Sequence, residues 1–328
     1  MNVLRVVTLA CGLGGVLFMS SLQALTPTEV VRGQQHQALF SVSFDGQRGL
    51  AVGAGGEILA TDDGGRSWTP QTSPTRLALI GVVLKGDTAI AVGQMGTILV
   101  RRGDGEWTQV ETDTRERLFA VDLNAQGVAM VVGGFGTLLR STDKGAQWVS
   151  AAPTWEGMFN DPVGRLGFFE PTLYDVQIDD DGTAHVVGEM MLVLRSVDGG
   201  GSFDVVSAGG SREDGVDPIL FAIDVAADGG GYAVGQQGTL MRTDDGGTSW
   251  KMLPAPTDAN LLAIDHADDG AAVMAGMRNV MVREAGSAEW TLLEGLDIAT
   301  GWFSGVAWLP GAKGPLAVGH FGSILQFD

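Results

Sequence analysis

The chain has 328 residues, 50 of them glycine, and a formal charge of −19 from 20 basic and 39 acidic residues. Such an acidic balance argues against nucleic acid, whose affinity comes mainly from Lys and Arg neutralising phosphates. It argues equally against adsorption to an anionic lipid surface.

The first residues read as an export signal. Arg5 precedes an apolar run from Val6 to Phe18, and the small residue Ala24 follows a short polar stretch, the pattern of a secretory leader. Cleavage after Ala24 leaves residues 25–328 as one domain, exported to a periplasm or a thylakoid-lumen-like space. The alternative, retention as an anchor, has a run short of the roughly 20 residues a span takes. Cys11, the only cysteine, leaves with the leader, so the mature chain has no disulfide and no cysteine metal site. With Arg5 gone, 19 basic residues face 39 acidic ones. No later segment is long and apolar enough to cross a membrane, and no direct insertion is expected after cleavage.

From there the glycines fall into register. The phrase Val-Gly-x-x-Gly, or a near relative, opens at Val52, Val92, Val132, Val187, Val234, Ala275 and Val318. Successive first glycines are 40, 40, 55, 47, 41 and 43 residues apart. A period near 40 with several short strands per unit marks propeller blades. The fifth unit shows four of them by alternation: 220–225, 232–235, 239–242 and 249–253. The last unit, from Gly305, has three strands before the chain ends. Its fourth is expected from the mature N-terminus, at 28–35, because full closure removes sheet edges. The expected fold is therefore all-β, a seven-bladed β-propeller of four-stranded antiparallel blades.

Between third and fourth strands a second motif recurs: Thr61-x-Asp63-x-Gly65-x-Ser67-Trp68, Ser141-x-Asp143-x-Gly145-x-Gln147-Trp148, Ser196-x-Asp198-x-Gly200-x-Ser202-Phe203 and Thr243-x-Asp245-x-Gly247-x-Ser249-Trp250. These resemble Asp-boxes, hairpins in which the carboxylate bonds its own turn and glycine supplies positive φ. The aromatic, Trp68, Trp148 or Trp250, packs between sheets. The motif is structural and carries no chemistry by itself.

Strand direction sorts the loops into two rims. The Asp-box turns lie on one. The Val-Gly-x-x-Gly turns lie on the other, and their variable residues include Met95, Phe135, Met190, Met277, Arg278, His320 and Phe321. Insertions at 153–172 and 207–218 fall on that same rim. The first holds Trp155, Met158, Phe159, Arg165, Phe168 and Phe169, whose apolar members have no place in a blade's alternation. Long loops on rigid scaffolds carry binding, and Met-rich aromatic surfaces suit apolar partners. These residues, with Met95, Phe135, Met190 and Phe321, form the expected partner face; the other reading of the insertion is a small cap over the channel.

Catalytic patterns are thin. Sialidase-like chemistry needs clustered arginines and a tyrosine with an acidic partner. The chain has two tyrosines, Tyr174 and Tyr232, and Arg140, Arg195 and Arg242 recur at one blade position, which reads as structural. His36, His185, His266 and His320 lack ligand spacing, and Asp179-Asp180-Asp181 reads as a solvated turn. No metal, cofactor or catalytic residue is expected; the alternative kept open is a carbohydrate-binding or sialidase-like propeller.

Repeats of the form Ala-Val-Gly-x-x-Gly-x-Ile-Leu-x-x-x-Asp-Gly-Gly-x-Ser-Trp, clearest at 51–68 and 233–250, resemble the photosystem II assembly/stability-factor family of propellers. The resemblance spans almost all of the mature chain. It implies a non-catalytic, monomeric factor that binds a membrane protein or complex, in photosynthetic systems a newly made subunit held on a basic patch. Relatives in bacteria without photosystems accompany resistance-nodulation-division type exporters.

Overall fold

A computed structural model describes residues 25–34, 36–156, 169–209, 217–267, 269–295 and 298–328. Their strands form seven four-stranded antiparallel sheets. The innermost strands are Leu39–Asp45, Leu79–Lys85, Leu118–Leu123, Leu173–Ile178, Leu220–Val225, Leu261–His266 and Phe303–Ala307, for blades 1 to 7. Six sheets follow chain order; in the seventh, Pro27–Val31 pairs with Ile324–Phe327, with Pro27 opposite Phe327 and Thr28 opposite Gln326. The N-terminal strand thus completes the last blade and closes the ring.

The burial of each strand follows its place in the blade. Second strands such as Thr88–Gly93 and Ala129–Gly133 are buried at every residue, because neighbouring sheets cover both their faces. Five of the seven fourth strands run only two or three residues and are largely exposed, and such short edges offer another chain little to pair with. Between blades the side chains interdigitate: Leu50, Val52 and Ile58 of blade 1 meet Leu79, Val82, Leu84 and Trp107 of blade 2 in one cluster. The recurring Val-Gly is a close approach, since a Cβ at Gly53 would run into the carbonyl oxygen of Ala38.

The Asp-boxes close as their residue types require. Asp63 accepts bonds from the Ser67 hydroxyl (2.6 Å), the Ser67 N–H (2.9 Å) and the Thr61 hydroxyl (2.8 Å). Those donors hold its carboxyl at about 2, and Asp245, with Ser249 and Thr243 in the same places, is also at about 2. The indole of Trp68 donates to the Gly65 carbonyl at 2.9 Å.

These boxes also receive the neighbouring blade. Arg102 donates to the carbonyls of Asp143 and Lys144, Arg140 to that of Gly199, and Arg195 to that of Gly246. These three arginines tie their blades to the next box, whereas Arg283, ending the third strand of blade 6, bonds the Ser287 and Gly270 carbonyls of its own blade. Arg242 faces the shortened turn of blade 6 and bonds its own Asp244 instead. Beneath each box glycine lies one side chain of the preceding blade: Leu316 under Gly65, Ile90 under Gly145, Met130 under Gly200 and His185 under Gly247.

Candidate binding face at the channel mouth

Every innermost strand carries one β-bulge at the same place. The register slips between Leu39 and Ser41, Leu79 and Gly81, Leu118 and Ala120, Leu173 and Asp175, Leu220 and Ala222, Leu261 and Ala263, and Phe303 and Gly305. A bulge leaves one residue unpaired and re-aims its side chain. The seven unpaired residues are Phe40, Ile80, Phe119, Tyr174, Phe221, Leu262 and Ser304, and all seven line one cavity of about 390 Å³ on the propeller axis. Each stands beside the Val-Gly turn of its own blade, as Leu39 pairs with Gly53 and Ala54 N–H reaches the Ala38 carbonyl. The channel therefore opens on the turn rim through a half-buried apolar collar.

The collar's rings touch across blades. Tyr174 lies 5.1 Å from Phe119 and 5.1 Å, edge-on, from Phe221. Across the ring Phe40 stacks on Trp302 at 5.8 Å, Trp302 neighbours His320 at 6.0 Å, and His320 stacks on Phe321 at 3.7 Å. An aromatic path thus runs from the collar out to a turn tip.

The turn tips share a backbone state. The central residue of the turn has φ between 50° and 69° in all seven blades: Gly55, Met95, Phe135, Met190, Gln237, Arg278 and Phe321. Blade 1 fills that position with glycine, the unstrained choice. Met95, Phe135 and Phe321 fill it with apolar side chains that are 57%, 70% and 45% exposed.

One residue inward from the collar the ring is small and uncharged in six blades: Ser41, Gly81, Ala120, Ala222, Ala263 and Gly305. Blade 4 puts Asp175 there, lining the same cavity. Its oxygens accept the N–H groups of Val176 (2.9 Å) and Ile223 (3.0 Å). Burial, then the carboxylates of Asp122 and Asp224, push its carboxyl up to about 7. Asp122 is half-buried; removal from water raises its carboxyl to about 6, and it takes the N–H of Ile178 at 2.8 Å. At the far, Asp-box end the shaft widens into a cavity of about 620 Å³ that includes Asp122, Gln177 and Asp179–181. Among the described residues no set of three His, Cys, Asp or Glu is placed to hold a metal ion.

The expected partner residues divide three ways. Met95, Phe135 and Phe321 stand exposed on the mouth face. Trp155 and Met190 are each 8% exposed. Trp155 sits in a core cluster with Met130, Leu138 and Leu173, its indole against Gly136; in blades 1, 2 and 5 the corresponding glycine meets the carbonyl of Thr75, Thr114 or Thr257 instead. The insertion thus spends its first aromatic on packing the blade. Phe169 is half-buried, and Met158, Phe159, Arg165, Phe168 and residues 1–24, where a leader is expected, lie outside the described residues.

The collar and Asp175 are the features sequence reading missed. Their signal was a triplet before each Val-Gly phrase, a large apolar residue, a bulge residue, then a small one, as in Leu39-Phe40-Ser41 and Leu118-Phe119-Ala120, broken only by Asp175 in blade 4. The mouth rim also carries exposed arginines, Arg76, Arg115 and Arg117, in the connections leaving blades 1 and 2.

Residues 165–260 match the family model described as "Photosynthesis system II assembly factor YCF48". No curated protein matches the chain in sequence. Among solved structures it is similar to "YCF48 bound to D1 peptide", at 16% identity and TM-score 0.70, over 94% of this chain and 97% of that one. It is similar to "YCF48 from Cyanidioschyzon merolae" at 18% identity and TM-score 0.71, over 92% and 98%. A xyloglucanase from Xanthomonas campestris matches at 16% identity and TM-score 0.69, over 91% of this chain and 53% of that one.

Proposed function

From the resemblance of this chain to the photosystem II assembly-factor propellers, we propose that it is an exported, non-catalytic binding module, an accessory or assembly factor for a membrane protein complex. A resistance-nodulation-division type exporter is the partner class we favour in a periplasmic setting. One of the similar structures is YCF48 bound to D1 peptide, which supports reading the propeller as a peptide- or protein-binding scaffold. The observation that carries the proposal is the set of exposed apolar side chains at left-handed turn tips. A non-glycine residue there costs about 1 kcal/mol, and Gly55 shows that this fold accepts glycine at the position. Met95, Phe135 and Phe321 hold that strain while exposing apolar surface, which a contact with a partner explains and blade packing does not.

The test is a triple variant, Met95→Gly, Phe135→Gly and Phe321→Gly. Its thermal midpoint should stay level or rise, because the strain is relieved. Crosslinking capture of a membrane protein from native membranes should fall at least tenfold. Undiminished capture by this variant would remove the turn tips from the proposal.

The glycosidase alternative meets a specific obstacle. A tyrosine nucleophile needs a hydroxyl that ionises more readily than usual, whereas burial and then Glu189 push that of Tyr174 upward. No Arg or Lys is among the residues lining the mouth cavity, so no described residue there would hold a substrate carboxylate.

A further inference from the structure

Asp175 breaks the repeat in a place where the break has consequences. It is the single acid in a ring of Ser, Gly and Ala, and it follows Tyr174, the one hydroxylated aromatic of the collar. A carboxylate largely removed from water is normally paired with a cation or a metal, and Asp175 is half-buried. Among the described residues Asp175 has neither: it takes two backbone N–H groups, and the charges felt most strongly are those of Asp122 and Asp224, both acidic. Its raised carboxyl, at about 7, is that of an acid short of a counter-charge.

We propose that the channel mouth binds the lysine side chain of the protein partner, its ammonium group seated between the Phe119–Tyr174–Phe221 rings and the Asp175 carboxylate. The inference rests on the protein-binding reading above and names the chemistry that reading leaves open. Aromatic rings attract a cation through their quadrupoles, more strongly in a desolvated site. Rings from three consecutive blades, 5.1 Å apart in both pairs, stand on the side of the collar that carries Asp175. Ile80 and Leu262 complete the collar with aliphatic surface, suited to the methylenes of a lysine stem, which bury readily while the head stays polar. Among the described residues no Lys or Arg lines the cavity to favour an anion.

Each Asp175 oxygen takes one N–H, from Val176 on one and Ile223 on the other, and keeps a lone pair that an ammonium hydrogen can meet.

The experiment titrates the full chain with Nα-acetyl-lysine methylamide and with its norleucine counterpart, which keeps the four carbons and lacks the ammonium, by calorimetry. The lysine amide should bind, and the norleucine amide about tenfold more weakly. Asp175→Asn should reduce lysine binding about tenfold while leaving norleucine unchanged. Phe221→Leu, which keeps the acid, should weaken lysine binding too and covers the case in which Asp175→Asn does not fold. Equal binding of the two amides, an undiminished Asp175→Asn, or no lysine binding overturns the proposal. Capture of a membrane protein by the parent is read separately: capture without lysine binding removes only the cation site, and absence of both removes the protein-binding reading as well.

Discussion

His185 shows how a single side chain departs from a repeat and what that does to stability. The equivalent residues under the other box glycines are Leu316, Ile90 and Met130, whereas the His185 ring lies 1% exposed, with Nε2 at 3.2 Å from the Gly246 carbonyl and Nδ1 without a partner. Burial lowers its pKa below 6.5. The unfolded chain then binds the proton more tightly, so this residue costs stability as pH falls below about 6.5. Asp175 and Asp122 act in the opposite sense: with folded values of about 7 and about 6 against 3.8, their contribution is fully present below 3.8 and is lost as pH rises through those values. Thermal midpoints measured between pH 5 and pH 8 should separate the two. His185→Met should gain about 1 kcal/mol, more at pH 5 than at pH 8, because Arg195 still satisfies the Gly246 carbonyl. Asp175→Asn should flatten whatever rise the parent shows on acidification. A His185→Met midpoint that moves with pH just as the parent's does would contradict the assignment.

Among the elements, the third strand is the one that couples blades. In blades 2, 3 and 4 its arginine leaves its own sheet and bonds a carbonyl of the next Asp-box, so box and arginine form one unit divided between two blades. Arg195→Leu should lower stability by about 1 kcal/mol and should raise hydrogen exchange first in the Gly246–Ser249 turn of the neighbouring blade. Exchange that rises only within blade 4 would argue against the coupling. The blades themselves were legible in the sequence, because Val-Gly turns and Asp-boxes each need particular residues at fixed offsets. The collar was not, for a physical reason: a bulge breaks the two-residue period, so Phe40 and Phe119 sit where alternation assigns them to neither sheet face. Alternation left Trp155 open between partner surface and a packed cap; it replaces the contact that packs the same turn in blades 1, 2 and 5.

At the scale of the whole molecule, stability depends on closing a ring through residues some 300 positions apart, Pro27 opposite Phe327. Without Pro27–Val31 the strand Ile324–Phe327 becomes an open edge, and unpaired edges recruit other chains. A chain starting at residue 34 should therefore show concentration-dependent self-association by light scattering and a broader thermal transition than the chain starting at residue 25. A monomer with an unchanged transition would mean that the closing strand is dispensable.

The seven bulges have one more consequence. A residue left out of the ladder makes no inter-strand pair, and its side chain points into the channel rather than between sheets. Each collar position therefore stands outside the hydrogen-bond ladder of its own blade and meets chiefly its neighbours around the mouth. Read around the mouth, the residues spell Phe-Ile-Phe-Tyr-Phe-Leu-Ser, a seven-letter word written on a scaffold indifferent to its spelling. Single letters are open to change by selection or design, altering what the mouth accepts while the ring beneath stays the same.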